Sequence, residues 1–223
     1  MVTLRVIAID GPAGAGKSTV ARAVARAVSL PYLDTGAMYR GVAFAVLRDG
    51  VDPADEDRVS GIAETVDVVV EPGGVTVDGH VVTADIRGPE VTSVVSVIAT
   101  YSRVRATMRA AQRAWILAHG GGVVEGRDIG TVVFPDALLK VFLTASPLVR
   151  AARRVAQVGG DVDAIAASIA ERDRIDSTRQ DSPLRPAEGA VTIDSSGRSV
   201  DEVVREISDA YDQVSKSGDV TRG

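Results

Sequence analysis

IAIDGPAGAGKST, Ile7 to Thr19, decides how this chain is read. Gly11, Gly16, Lys17 and Ser18 satisfy the phosphate-loop pattern G-x-x-x-x-G-K-[ST]. The loop so defined takes in Gly11, Pro12, Ala13, Gly14, Ala15, Gly16, Lys17, Ser18 and Thr19. Before it, Leu4, Val6, Ile7, Ala8 and Ile9 make a short apolar, partly β-branched run, which predicts a buried strand. After it, Val20, Val24 and Val28 recur at i, i+4, i+8 with alanines between them, which predicts a helix packed closely on a sheet. Strand, glycine loop and helix is the context the motif needs. The glycines let backbone N–H groups converge on phosphate oxygens, and the helix N-terminus adds its partial positive charge. Lys17 is then expected to stand as an exposed point charge at the β- and γ-phosphates of a nucleoside triphosphate, with the Ser18 hydroxyl ligating Mg2+. The dinucleotide-binding alternative fails, because Gly14-Ala-Gly16 would need glycine or alanine where Thr19 stands.

Working outward, Pro31-Tyr-Leu33 is a short extended piece that leads into a second helix from about Asp34, with Tyr39, Val42, Ala43, Val46 and Leu47 at helical spacing until Asp49-Gly50. A short helix is predicted over Asp55–Thr65. Then the texture changes. Val66–Val70, Val75–Val77 and Val81–Thr83, separated by Gly73-Gly74 and Asp78-Gly79, predict three short strands in an antiparallel meander. Helices follow at about 89–98 and 103–119, buried strands at Val123-Val124 and Leu138–Leu143, and a helix over Pro147–Val158 that has proline in its first turn. A highly charged helix occupies about 162–180, a last strand Val191–Ile193, and a final helix begins at the capping box Ser199/Glu202. The tail from Ser215 is expected to fray.

This alternation predicts an α/β fold, a parallel sheet of about five strands with helices on both faces and the ligand crevice at the strands' C-terminal ends. The core is assigned to about residues 1–59 and 99–223, with a lid at about 159–186, and a small inserted subdomain to about 60–98.

Composition narrows the function. At 223 residues and 45% hydrophobic, the chain can bury a sizeable core, and no uncharged apolar run approaches the roughly 18 residues of a membrane span. There is no cysteine, hence no disulfide framework or thiolate metal site, and the first strand begins too early for a signal peptide, so a cytoplasmic protein is expected. The net charge of −5 gives no global field to attract nucleic acid. No coiled-coil pattern argues for assembly, so a monomer without nucleic-acid or membrane partners is expected.

Three further clusters fall at predicted strand ends or facing them. Tyr39 and Arg40 lie in the first turns of a helix after a glycine turn. Gly126-Arg127-Asp128 directly follows a buried strand, where arginine and carboxylate side by side bind an anion and a donor, or simply pair with each other. Arg172, Asp176 and Arg179 stand at i, i+4, i+7 on one helix face, flanked by Gly159-Gly160 and by Pro183 and Pro186; taken alone, such charges usually mark a solvated face.

Together these pieces resemble one family. LDTGAMYR (Leu33–Arg40), EGRDIGTVVFPDA (Glu125–Ala137) and ERDRIDSTR (Glu171–Arg179), behind GPAGAGKST, are similar to the motifs of bacterial cytidylate kinases, which are P-loop nucleoside monophosphate kinases. The resemblance covers about residues 4–214, and the three-stranded insertion resembles that family's enlarged monophosphate-binding domain. It implies phosphoryl transfer from ATP to CMP or dCMP. By the same resemblance Thr35, Ser96, Arg105, Asp128 and Arg179 surround the cytosine, Arg40 and Arg127 hold the acceptor phosphate, and Arg172 with Asp176 meets the ribose. Tyr39 joins the substrate-side residues, Lys17, Arg127, Arg172 and Arg179 are the catalytic cations, and Arg150, Arg153 or Arg154 approaches the ATP side. The family often has Ser where Thr35 stands and Asp where Glu125 stands, and the lid here, with Ile175 and Ser177, is less basic.

A guanine-nucleotide switch is disfavoured, since the chain contains no asparagine for N-K-x-D. A kinase for another small acceptor, such as a different nucleoside monophosphate or a shikimate-like metabolite, remains the alternative, and a nucleotide-hydrolysing binding module is a third.

Overall fold

The computed structural model describes residues 4–220. They divide into two compact units, one formed by the chain up to Tyr32 together with the part from Ile116 onward, the other by Leu33–Trp115.

The first unit is built on a five-stranded sheet. Strands β1 (Arg5–Asp10), β2 (Tyr32–Asp34), β6 (Gly121–Gly126), β7 (Leu139–Thr144) and β8 (Val191–Asp194) are arranged β2-β6-β1-β7-β8. β1 is central and pairs in parallel with β6 and β7, and β7 pairs in parallel with β8. Period-two alternation sends Ile7, Ile9, Val123, Val141, Leu143 and Ile193 to one face, against Val20 and Val24 of α1 (Lys17–Ala27) and Val203, Ile207 and Tyr211 of α8 (Val200–Val220). Val6, Ala8 and Val124 point the other way and are also buried, so both faces are covered. Each large aliphatic side chain so buried contributes about 1.5–3 kcal/mol. Helices α6 (Pro147–Val158) and α7 (Val162–Thr178) pack as a pair. Ser146 and Asp161 cap them, accepting the N–H of Val149 and of Ala164.

Two expectations change here. The helix does not stop at Ser215: α8 starts at its capping box, in which Glu202 accepts from Ser199 N–H at 2.8 Å, and continues to Val220, with the Ser217 hydroxyl donating back to Gln213 O at 2.9 Å. β6 begins two residues before the predicted Val123, because Gly121, at φ +137, lies flat against the backbone of Arg5.

In the second unit, α2 (Thr35–Arg48), α3 (Glu56–Thr65), α4 (Pro89–Ile98) and most of α5 (Ser102–His119) accompany an antiparallel sheet β3-β4-β5 (Val68–Glu71, Gly74–Val77, His80–Val81). This unit is broader than the 60–98 insertion read from the sequence, since α2 packs on α4 and on the small sheet. Gly41 is what lets α2 approach β3: a Cβ there would lie 2.5 Å from Val68. The third strand is shorter than Val81–Thr83 because the Thr83 hydroxyl, not its peptide, accepts the N–H of Val75 at 2.9 Å.

Candidate active site

β1 delivers the phosphate loop to the sheet's C-terminal edge, and α1 starts at its end with Gly16 as N-cap. Gly11 has φ +151, and a Cβ there would fall 1.9 Å from the carbonyl oxygen of Leu143, so no other residue fits. Lys17 is buried, only 7% exposed, where an exposed charge was expected. Its Nζ turns back across the loop and donates to Pro12 O at 2.8 Å. Burial, then the field of Arg127 and of Arg172, pulls its pKa down to about 7 against the opposing pull of Glu125 and Asp10.

The carbonyls of the loop are held from outside. Arg150 Nη1 donates to Ala13 O at 3.0 Å, and Arg153 Nη1 reaches Ala15 O at 3.4 Å and Ser195 Oγ at 2.9 Å. In a trans peptide a carbonyl turned outward sends the next N–H the opposite way. Arg150 and Arg153 thus bind the loop itself, whichever of them also meets a ligand. From α7, Asp173 accepts the N–H of Ala13 at 3.2 Å and pairs with Arg150.

Two carboxylates end the strands beside the loop. Asp10, 3% exposed, accepts the N–H groups of Ile129 and Gly130, each at 2.8 Å. Burial pushes its pKa up to about 6; the two hydrogen bonds and Lys17 oppose the rise, and Asp128 adds to it. Asp10 so pins the start of a π-helical turn, Ile129–Val133, just after Arg127-Asp128. Glu125 accepts the Ser18 hydroxyl at 3.0 Å and the Tyr32 hydroxyl.

The charged face of α7 is not solvated at Asp176. That carboxylate is buried between Arg127 Nε at 2.8 Å and Arg179 Nη1 at 3.1 Å. Burial alone would raise its pKa, but Arg127, Arg179 and Arg172 together hold it below the ordinary 3.8. Burial likewise works against the charge of Arg127, and Asp176 outweighs it, leaving the guanidinium above its usual value. Arg127 thus pairs with the carboxylate of α7. Asp128 beside it is buried at 6% exposure. The solvated i, i+3 pair of the helix is Glu171–Arg174 instead.

The other predicted residues belong to the second unit. Asp34 caps α2, accepting Ala37 N–H at 2.9 Å, and pairs with Arg40 Nη2 at 3.0 Å. Arg40 Nε is buried with no acceptor. Thr35 is buried at the first position of that helix. The Arg105 guanidinium, 1% exposed, sits 5.8 Å from the centre of the Tyr39 ring and donates to Ala99 O at 3.1 Å. Ser96 is half-buried on α4.

In sum, the first unit gathers the loop, Arg127, Asp128, Arg172, Asp176 and Arg179, while Thr35, Tyr39, Arg40, Ser96 and Arg105 share the second. Sequence reasoning gave no role to Asp10, Glu125, Asp173 or Ser195. For Asp10 and Glu125 a signal existed: each is an acidic residue closing a buried apolar strand.

A glycine loop on the central strand of a parallel sheet, its amides turned inward and its lysine among arginines from other segments, defines a P-loop phosphoryl-transfer fold. The solved gluconokinase of Sinorhizobium meliloti shares that fold, with a TM-score of 0.53 at 17% identity over 99% of this chain and 98% of that one. Residues 7–213 match the sequence profile of the family described as cytidylate kinase. The cytidylate kinase of Mycobacterium avium is 46% identical over 95% of this chain and 96% of that protein, and that of Pelotomaculum thermopropionicum is 49% identical over 90% and 93%. The chain belongs to the cytidylate kinase family. It also matches the bifunctional pantoate ligase/cytidylate kinase of Prochlorococcus marinus, 49% identical over 92% of this chain, but spans only 44% of that protein's length.

Proposed function

We propose that this chain transfers the γ-phosphoryl group of ATP to CMP or dCMP, giving ADP and CDP or dCDP. The observation that carries the reading beyond family membership is the surroundings of Lys17. A phosphate-loop lysine is buried where Arg127, from the end of β6, and Arg172, from α7, both depress its pKa. Three cations brought together from three segments, beside Glu125, Asp10 and Asp176, make a cluster of positive charge suited to a polyphosphate.

The acceptor is a phosphate oxygen, already anionic at neutral pH, so no general base is required. The protein's task is to align donor and acceptor phosphates and to neutralise the charge that repels them. Residues 11–19 cradle the ATP phosphates through their amides. Lys17, Arg127, Arg172 and Arg179 supply fixed positive charge at the transferring group. Arg40 and Arg127 take the acceptor phosphate, and Arg172 with Asp176 takes the ribose. Thr35, Ser96, Arg105, Asp128 and Arg179 take the base side, and Tyr39 joins the substrate-binding residues. Arg40 Nε, buried without an acceptor, is a donor ready for an anionic oxygen.

Mg2+ fits the donors present. The Ser18 hydroxyl and the Glu125 carboxylate stand 3.0 Å apart, a sparse oxygen set suited to an ion that keeps waters and substrate phosphates in its shell. Ser18 would hold the ion, with Glu125 orienting that hydroxyl, and bound Mg2+ would offset charge on the phosphates.

ATP hydrolysis must be suppressed, and residues 159–186 serve as the lid that shuts water out. No helix among the described residues is long and apolar enough to cross a membrane. With a chain free of cysteine and substrates drawn from the nucleotide pool, we place the enzyme in the cytoplasm, acting as a monomer on small molecules. An ADP-release assay across CMP, dCMP, UMP, AMP and shikimate tests the reaction. Turnover with the two cytidylates well above the others is expected. Turnover confined to another acceptor, or none beyond slow hydrolysis, overturns it.

A further inference from the structure

Within the phosphate loop, Ala13 is held at both its N–H and its carbonyl by one charged pair. Asp173 Oδ1 accepts its N–H at 3.2 Å, Arg150 Nη1 donates to its carbonyl at 3.0 Å, and Asp173 and Arg150 pair with each other. The arrangement is enclosed: the Arg150 side chain is 10% exposed and that of Asp173 20%. Gly14, at φ +77, fits beneath it with no room for a side chain, since a Cβ would lie 3.0 Å from that of Arg150. The three segments involved are the loop, α6 and α7, and α7 is the helix that also carries Arg172 and Asp176 and ends at its C-cap Arg179.

We propose that Asp173 is a positioning residue that couples α7 to the phosphate loop, so that the loop takes its working shape only when α7 is docked. The inference rests on the function proposed above and adds a residue to it. A carboxylate beside a phosphate-binding loop repels the ligand unless it is neutralised, and Arg150 supplies that neutralisation. What remains is geometry. Asp173 and Asp176 are one turn apart on α7, so the contact that holds Ala13 is in register with the one that holds Arg127. Docking α7 thereby sets the donor-phosphate cradle and the acceptor-side arginine in one movement. The coupling also limits hydrolysis, because an undocked α7 leaves the loop unformed.

The test uses the full chain and the variants Asp173→Ala, Asp173→Asn, Arg150→Ala and the Asp173→Ala/Arg150→Ala double. Asp173→Ala is expected to lower kcat roughly tenfold or more, on the scale of catalysis lost when a bound group is misplaced. Hydrogen exchange in peptides covering residues 12–16 should accelerate. Asp173→Asn should recover part of both, because its amide oxygen still accepts from Ala13. The double variant should be no slower than the worse single one, as for residues acting through one contact. A purely structural role would instead lower Tm while leaving kcat of the folded enzyme and the loop's exchange unchanged. That result, multiplying single effects, or tighter binding of a fluorescent ATP analogue by Asp173→Ala would each overturn the proposal. If wild type releases no ADP with CMP, the reaction assigned above is wrong, and loop exchange and analogue binding without acceptor still decide the role of Asp173.

Discussion

Lys17 shows how far one residue's chemistry depends on its surroundings. With its pKa pulled down by burial and by Arg127, the lysine holds its proton less firmly than a free lysine until an anion arrives. A polyphosphate in the loop favours the charged form, so ATP-analogue binding at pH 8 should take up protons. Calorimetry in buffers of different ionisation heat measures this directly, and Lys17→Ala should abolish the uptake together with at least a hundredfold of kcat. Zero uptake by wild type would remove the account of Lys17. Asp128 is the second test at this scale. Cytosine offers an N4 donor that a carboxylate accepts, whereas uracil sets O4 against it. A matched contact of this kind is worth about 1–3 kcal/mol, or roughly five- to 150-fold. Asp128→Ala should lose that factor in kcat/KM for CMP while UMP loses less or gains. Parallel losses would mean that Asp128 serves the loop at 129–133 and not the base.

At the scale of elements, α7 is the one whose reading changed most. Asp176 bridges Arg127 and Arg179, so the helix is tied to the end of β6 by buried charge and not merely laid on the surface. Breaking one partner of such a buried pair costs about 3–5 kcal/mol, while the intact pair is worth far less. Such a contact registers a position without holding it strongly, which suits a helix that must open and close. CMP with a non-hydrolysable ATP analogue should therefore protect residues 159–186 from hydrogen exchange, because bound phosphates offset the repulsion between Arg172 and Arg179. Equal protection with and without ligand would count against a lid.

For the whole molecule, the buried charges predict how stability follows pH. Asp176 lies below its ordinary 3.8 in the folded chain, so its contribution is present above that value and is lost as pH falls through the folded pKa. Asp10 runs the other way. Raised to about 6, it binds a proton more tightly in the folded state, and the stability it lends below 3.8 is lost as pH rises from there to 6. Chemical denaturation between pH 2 and 6 should then show Asp176→Asn with a shallower acid slope and Asp10→Asn with a steeper gain of stability with pH than wild type. Slopes matching wild type in both variants would mean that other carboxylates govern acid unfolding.

The helices at Pro89–Ile98 and Pro147–Val158 were legible to the residue, and the strand-loop-helix around Lys17 was legible in kind and order. Caps, prolines, glycine turns and apolar periodicity act between near neighbours in the chain. The strand order, the burial of Lys17 and the pairing of Arg127 with Asp176 were not legible. Neither was the grip on Ala13, whose partner Asp173 stands 160 residues away. A charge's energy is set by what lies within a few ångströms of it and by how much water remains there, and distant segments supply both. The sequence by itself determined which chemistry the chain carries; only the tertiary structure decided which charges pair, which are buried, and which peptide of the loop each one holds.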